Sequence, residues 1–120
     1  MAAVTNWRHQ MSVKLHPSIQ AYFDADNARN PDAVAAAFTD NAVVKDAGET
    51  RIGRESVREW KVESDRKYSW TLAEPFFVAT ENGKTLVTGH VSGDFPGSPV
   101  DLRYFFVLKG DKIAELEITV

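Results

Sequence analysis

Two residues in the first half of the chain carry side chains suited to acid–base chemistry. Tyr22 lies in a stretch whose apolar residues recur at three- and four-residue spacing, which predicts an amphipathic helix. Asp46 ends a short apolar run and precedes an alanine and a glycine, which predicts a carboxylate at the end of a strand. A carboxylate can accept a proton and a phenol can donate a hydrogen bond, so this pair is the first candidate for a site.

The composition excludes several other chemistries. Cysteine is absent, which rules out thiol catalysis, disulfides and thiolate metal sites. The three histidines, at positions 9, 16 and 90, are not spaced as a metal-binding set, so we expect no metal. There is no glycine-rich phosphate loop and no nucleophile elbow, and we expect no cofactor.

Length and charge narrow the class of protein further. The 120 residues fit one domain, which we assign to residues 15–120, preceded by a flexible N-terminal arm at residues 1–14. The net charge of −3 without a basic stripe argues against nucleic acid as a partner. No apolar run approaches the roughly 20 residues of a membrane span, so we expect no membrane association. The lack of cysteine favours a cytoplasmic location.

Three helices are predicted in the first half of the chain. Pro17 suits the first turn of one helix, and Asn30 before Pro31 caps another whose apolar stripe reaches Phe38. A third helix begins after Gly53, and its apolar stripe is interrupted by Lys61.

Strands dominate the rest of the chain. A short strand is predicted at residues 42–46, followed by a turn at 47–49. Pro75 suggests an edge position or a bulge in the next strand, and Asn82-Gly83 is a hairpin signal. The predicted strands after residue 68 form an antiparallel meander over residues 69–80, 85–95, 100–108 and 112–120. Helices followed by a meander predict an α+β fold.

Alternation along residues 100–108 assigns side chains to the two faces of the sheet. Tyr104 and Phe106 share the face that we expect the helices to cover. If Phe95 lies opposite Val100, Val91 falls beside Tyr104. Phe105 and Val107 would leave the other face partly apolar, which favours a homodimer through this outer sheet face.

In the same register, His90 lies on the outer face, beside Phe105. A one-residue change of register would turn His90 inward, and the sequence leaves both registers open.

The order of elements and four motifs resemble the NTF2-like superfamily, in particular the SnoaL-like and ketosteroid-isomerase-like proteins. The motifs are Tyr22-Phe23 on the first helix, FTDNAVVKD at residues 38–46, GRESV at 53–57 and GDKI at 110–113. The likeness covers residues 17–120. It implies a cone-shaped α+β fold in which three N-terminal helices pack on a curved, mainly antiparallel sheet around a deep pocket.

The resemblance also implies roles for individual residues. Ketosteroid isomerases use a tyrosine on the first helix as oxyanion donor and an aspartate at the end of the first strand as base, and Tyr22 and Asp46 stand at these positions. Tyr104 stands near the position of the family's second oxyanion donor, a protonated aspartate. A phenol is longer, so the oxygen that it serves would lie elsewhere, and this departure argues against steroid isomerisation itself.

Each candidate also has a purely structural interpretation. Asp46 could be a turn residue, Tyr22 a core tyrosine with a backbone partner, and Tyr104 part of the core or the pocket wall. His90 could be a residue of the sheet surface. The remaining candidate wall residues, any of which could instead be core, are Phe38, Trp60, Phe76, Val91 and Phe106.

We therefore expect a protein with a pocket for a small apolar organic molecule. The leading hypothesis is cofactor-free proton transfer, of the isomerase or cyclase type, on a carbonyl compound. Non-catalytic binding of a small molecule and a role as a dimeric assembly domain are the alternatives, because one fold supports many functions.

Overall fold

The computed structural model describes residues 13–120, so most of the predicted N-terminal arm lies outside the described residues. Helices α1 to α3 are Pro17–Asn27, Pro31–Ala36 and Arg54–Lys67. Strands β1 to β6 are Phe38–Asp46, Glu49–Ile52, Thr71–Glu81, Lys84–Gly93, Val100–Lys109 and Lys112–Thr119. No helix within this part of the chain is both long and apolar enough to cross a membrane.

The six strands form one mixed sheet in the order β2-β1-β6-β5-β4-β3. Strands β3 to β6 form the predicted antiparallel meander, and β1 joins it through parallel pairing with β6. Register shifts interrupt the ladders at three places, and such bulges bend a sheet. The α+β fold of three helices on a curved, mainly antiparallel sheet is confirmed.

The helix boundaries follow the local signals in the sequence. The His16 side chain accepts a hydrogen bond from the Ser18 amide, and Asn30 accepts one from the Ala33 amide at 3.1 Å. Arg29, which follows α1, donates to the carbonyl oxygens of Asp65 and Tyr68 and so ties the end of α1 to the end of α3.

The prediction for residues 39–52 was partly wrong. Strand β1 begins at Phe38 rather than at residue 42, because Phe38 already pairs with Ile113 of β6. Residues 39–41, which the prediction left outside the strand, therefore belong to it. The segment Glu49–Ile52 is strand β2, which pairs antiparallel with the end of β1. The sequence had predicted only a turn ending at Glu49 and no strand here.

The strand β3 has both features that Pro75 suggested. It lies at the edge of the sheet, and its pairing with β4 shifts between Pro75 and Phe77. The hairpin at Asn82-Gly83 is also confirmed, with φ angles of 53° and 76° at the two turn residues.

The predicted pairing of β4 with β5 was wrong by four residues. Val91, not Phe95, lies opposite Val100, because the chain leaves the ladder at Gly93 and crosses to β5 through a loop. A shift by an even number preserves the faces. Tyr104 and Phe106 therefore point to the helices, and His90 points away from them.

The core lies between α1 and the inner face of the sheet. Phe106 is fully buried, and its ring centroid lies 5.8 Å from that of Tyr22 and 6.1 Å from that of Phe23. Tyr104 packs edge-on against Phe23 at 4.9 Å. These aromatic contacts fix the position of the two tyrosines, which matters for the site described next.

Candidate functional site

A cavity of about 370 Å³ lies between α1, α3 and the inner face of the sheet. Its volume falls within the range of small-molecule pockets. Five aromatic residues contribute to its lining, and three charged residues lie among them. The aromatic residues are Tyr22, Trp60, Tyr68, Phe95 and Tyr104, and the charged residues are Asp26, Asp46 and Lys61.

Five of the residues predicted from the sequence lie on this one cavity, although they come from five separate elements. They are Tyr22 on α1, Asp46 on β1, Trp60 on α3, Val91 on β4 and Tyr104 on β5. Asn27 helps to position α1, because its side chain exchanges two hydrogen bonds of 2.9 Å with the backbone of Ala73 on β3.

Asp46 combines the two interpretations that the sequence left open. It is the last residue of β1 and closes the turn to β2, where it pairs with Glu49. Its side chain also lines the cavity and accepts a hydrogen bond from the indole Nε1 of Trp60 at 3.1 Å. This bond holds one carboxylate oxygen in place, as expected of an oriented base.

A second cavity, of about 680 Å³, lies beside the first and is lined mainly by the β1–β2 turn and the end of β6. Asp46 and Leu102 line both cavities. The Asp46 carboxylate therefore lies where the two cavities meet.

Tyr22 and Tyr104 are buried neighbours, with ring centroids 6.4 Å apart. Burial raises the pKa of Tyr22 well above its ordinary value, and the negative charge of Asp26 raises it further. Burial also raises the pKa of Tyr104, followed by the charges of Asp26 and Asp46. Both side chains are therefore neutral donors at pH 7.

The raised pKa values of Tyr22 and Tyr104 can be tested by absorbance spectroscopy. In a Tyr68→Phe variant, Tyr22 and Tyr104 are the remaining tyrosines, and we expect them to stay protonated at pH 10 in the folded protein. The unfolded chain releases its phenol protons at about pH 10. The stabilisation of the folded state by the raised pKa values of the two phenols is therefore complete below about pH 10 and is lost as the pH rises above it. Tyrosinate absorbance at 295 nm should appear only together with the loss of far-UV circular dichroism. Half-ionisation near pH 10 in a folded protein would contradict the site.

Three of the predicted wall residues do not line this cavity. Phe38 and Phe106 are fully buried and pack against the ring of Tyr22, so they belong to the core behind it. Phe76 lies at the bulge of β3 and is 49% exposed. The prediction that these residues form the pocket wall was wrong.

His90, which the sequence left either on the sheet surface or in the pocket, does not line the cavity. It lies on the outer face of the sheet, where its side chain is 48% exposed and its Nδ1 lies 2.9 Å from Oδ1 of Asp101. The register between β4 and β5 places it there, in agreement with the outer of the two positions that the sequence allowed.

Asp26 and Lys61 also line the cavity, although neither was among the site residues predicted from the sequence. Lys61 Nζ lies 2.6 Å from Oδ1 of Asp26 and 4.7 Å from the centroid of the Trp60 ring. The signals were present in the sequence. Asp26 follows Tyr22 by four residues on one helix face, and Lys61 interrupts an apolar stripe. No group of three histidine, aspartate or glutamate side chains within the described chain could hold a metal ion.

A curved sheet closed by helices around such a cavity defines the NTF2-like class of proteins. The sequence profile of the SnoaL-like domain matches residues 19–116, and the chain belongs to this family. No curated protein is similar enough to count as a match.

Several solved structures resemble this chain. A provisionally named polyketide cyclase from Sinorhizobium meliloti is 40% identical, with a TM-score of 0.82, over 88% of this chain and 95% of that one. A protein of ketosteroid-isomerase-like fold from Catenulispora acidiphila, solved with trimethylamine, is 18% identical, with a TM-score of 0.77, over 86% and 84% of the two chains. TerC, crystallised with polyporic acid, is 12% identical, with a TM-score of 0.73, over 86% and 88%. The last two similarities concern the fold alone.

Proposed function

We propose that this protein catalyses cofactor-free proton transfer on a small carbonyl compound, in a reaction of the cyclase or isomerase type. The observation that carries the proposal is the convergence of Asp46, Tyr22 and Tyr104 on one cavity. Removing a proton beside a carbonyl needs a base near the carbon and a donor near the oxygen. A carboxylate and two neutral phenols supply both.

In the proposed reaction, Asp46 accepts the proton from the carbon next to the carbonyl group. The C–H bonding electrons move into an enolate, whose negative charge collects on oxygen. Tyr22 and Tyr104 donate hydrogen bonds to that oxygen, and their raised pKa values keep them from losing their own protons. Asp46 then returns the proton to a carbon or oxygen atom of the product.

The Trp60 indole supports the base in this scheme. Its hydrogen bond to Asp46 Oδ2 leaves the other carboxylate oxygen free to face the substrate. The 40% identity to a protein named as a polyketide cyclase favours the cyclase type, in which the enolate carbon attacks a second carbonyl group. We further propose that the reaction takes place in the cytoplasm, in keeping with the absence of cysteine.

The experiment for this proposal is deuterium exchange at the carbon next to the carbonyl in cyclic ketones dissolved in D₂O, followed by NMR. The proposal expects the wild-type protein to accelerate the exchange beyond the buffer rate. If a ketone binds saturably without faster exchange, and binding tolerates Asp46→Asn, the cavity serves non-catalytic binding instead.

We also propose that the protein is a homodimer through the outer face of its sheet. Leu86 of β4 lies opposite Phe105 of β5 on this face, and Phe77 of β3 is 48% exposed there. Apolar side chains in a row on a sheet face favour a covering partner.

Light scattering after size exclusion is expected to give twice the 13.4 kDa of one chain. Phe105→Glu should shift the protein to the mass of the monomer, whereas Phe76→Glu, at the edge bulge, should not. A monomeric wild type, or a dimeric Phe105→Glu variant, would refute this interface.

A further inference from the structure

Lys61 is a buried cation on the wall of the candidate cavity, and the proposed proton transfer does not use it. Its side chain is 9% exposed, and that of Asp26, its partner at 2.6 Å, is 14% exposed. The same ammonium group lies above the ring of Trp60, whose indole holds Asp46. Lys61 is therefore linked to the base through Trp60, and to the two tyrosines through Asp26, whose charge raises the pKa of both.

Stability alone gives little reason for this ion pair. Removing two charges from water costs several kcal/mol for each ion, and hydrophobic residues of similar volume often serve a fold as well or better. A lysine ammonium group has three N–H donors. The ion pair with Asp26 occupies one of these donors.

The charges around the cavity limit what this donor can bind. Asp26 and Asp46 both line the cavity beside the single ammonium group, and Asp65 is close enough to interact with Lys61. An additional carboxylate would meet more negative than positive charge at low dielectric. A neutral oxygen can accept the hydrogen bond without that repulsion.

We propose that Lys61 is a ligand-binding residue that donates a hydrogen bond to a second, uncharged oxygen atom of the bound compound. This inference rests on the proposed function for the location of the site. The substrate is thus a neutral compound with two oxygen functions. The tyrosines bind the oxygen of the carbonyl group that is enolised, and Lys61 binds the other carbonyl or hydroxyl oxygen.

Three probes of the same ring size test the inference by NMR titration at pH 7. They are cyclohexanone, 1,4-cyclohexanedione and 4-oxocyclohexane-1-carboxylate. One hydrogen bond to a charged donor corresponds to about tenfold in affinity, so the dione should bind about ten times more tightly than cyclohexanone. The carboxylate should bind no more tightly than cyclohexanone.

The variant for this test is Asp26→Leu with Lys61→Met, which removes both charges and leaves no unpaired ion in the cavity wall. In this variant the dione and cyclohexanone should bind within about twofold of each other. The matched control is Asp32→Leu with Arg58→Met, an exposed ion pair of 3.7 Å between α2 and α3. The control should keep the tenfold preference. If the double variant does not fold, Lys61→Arg takes its place. Because arginine is also a cationic donor, this variant should keep part of the preference for the dione.

Equal wild-type affinity for the dione and cyclohexanone would overturn the inference. A preference that survives in the cavity variant, or tightest binding of the carboxylate, would also overturn it. The proposed function fails separately. If the dione binds more tightly than cyclohexanone through Lys61 but the protein does not accelerate deuterium exchange, catalysis is refuted and the binding role of Lys61 stands. If the protein accelerates exchange but shows no preference for the dione, catalysis stands and the role of Lys61 is refuted.

Discussion

Asp46→Asn is expected to lower the enzymatic rate of deuterium exchange by about 10²- to 10⁴-fold, the usual contribution of a general base. Asparagine has nearly the same shape as aspartate, and its side-chain oxygen can still accept the hydrogen bond from Trp60. It cannot accept the substrate proton. The change should therefore appear in kcat, and the melting temperature should stay close to that of the wild type.

The matched control is Asp40→Asn on the same strand. The Asp40 side chain is 89% exposed and forms a surface ion pair with Arg54, so its removal should leave the exchange rate unchanged. If Asp46→Asn retained more than about a tenth of the wild-type rate, Asp46 would not be the base, since general bases contribute about 10²-fold or more.

Tyr22→Phe is expected to lower the exchange rate by about 10²- to 10³-fold, the typical loss when one oxyanion donor is removed. The ring of Tyr22 packs against Phe23, Phe38 and Phe106, and phenylalanine keeps these contacts. The variant should fold as stably as the wild type.

The effect of Tyr22→Phe should be compared with that of Tyr104→Phe and of both changes together. Two donors to one oxyanion act as a unit. The fold decrease in exchange rate of the double variant should therefore be smaller than the product of the fold decreases of the two single variants. Tyr68→Phe is the matched control, since Tyr68 lines the same cavity but belongs to the segment after α3. An unchanged rate in Tyr22→Phe would remove this residue from the mechanism.

The parts of the fold that the sequence predicted well are those with local signals. Asn30 caps its own helix, and Asn82-Gly83 forms its own hairpin, so neither depends on distant residues. Strand β2 was missed because its sequence, ETRI, lacks the apolar alternation of a strand and is held in place by pairing with β1. Its stability as a strand comes from a neighbour that the local sequence does not reveal.

The candidate site was predictable in outline but not in detail. Alternation placed Tyr104 on the inner face, and the resemblance to ketosteroid-isomerase-like proteins singled out Tyr22 and Asp46. Phe76 lies at the bulge of β3 and is 49% exposed, and a bulge has no reliable sequence signal beyond Pro75. The ion pair of Lys61 with Asp26 joins two helices that are distant in sequence, so only the folded chain brings its two residues together.

The most direct test of the central claim is the exchange of cyclohexanone and 1,4-cyclohexanedione in D₂O, measured by NMR with wild-type protein and with Asp46→Asn purified in the same way. We predict that the wild-type protein accelerates the exchange above the buffer rate in proportion to its concentration. We also predict that Asp46→Asn removes at least 99% of that acceleration, which corresponds to the lower limit of about 10²-fold for a general base. Exchange at the buffer rate with wild-type protein, or equal acceleration by the two proteins, would show that Asp46 is not the base of a proton-transfer reaction.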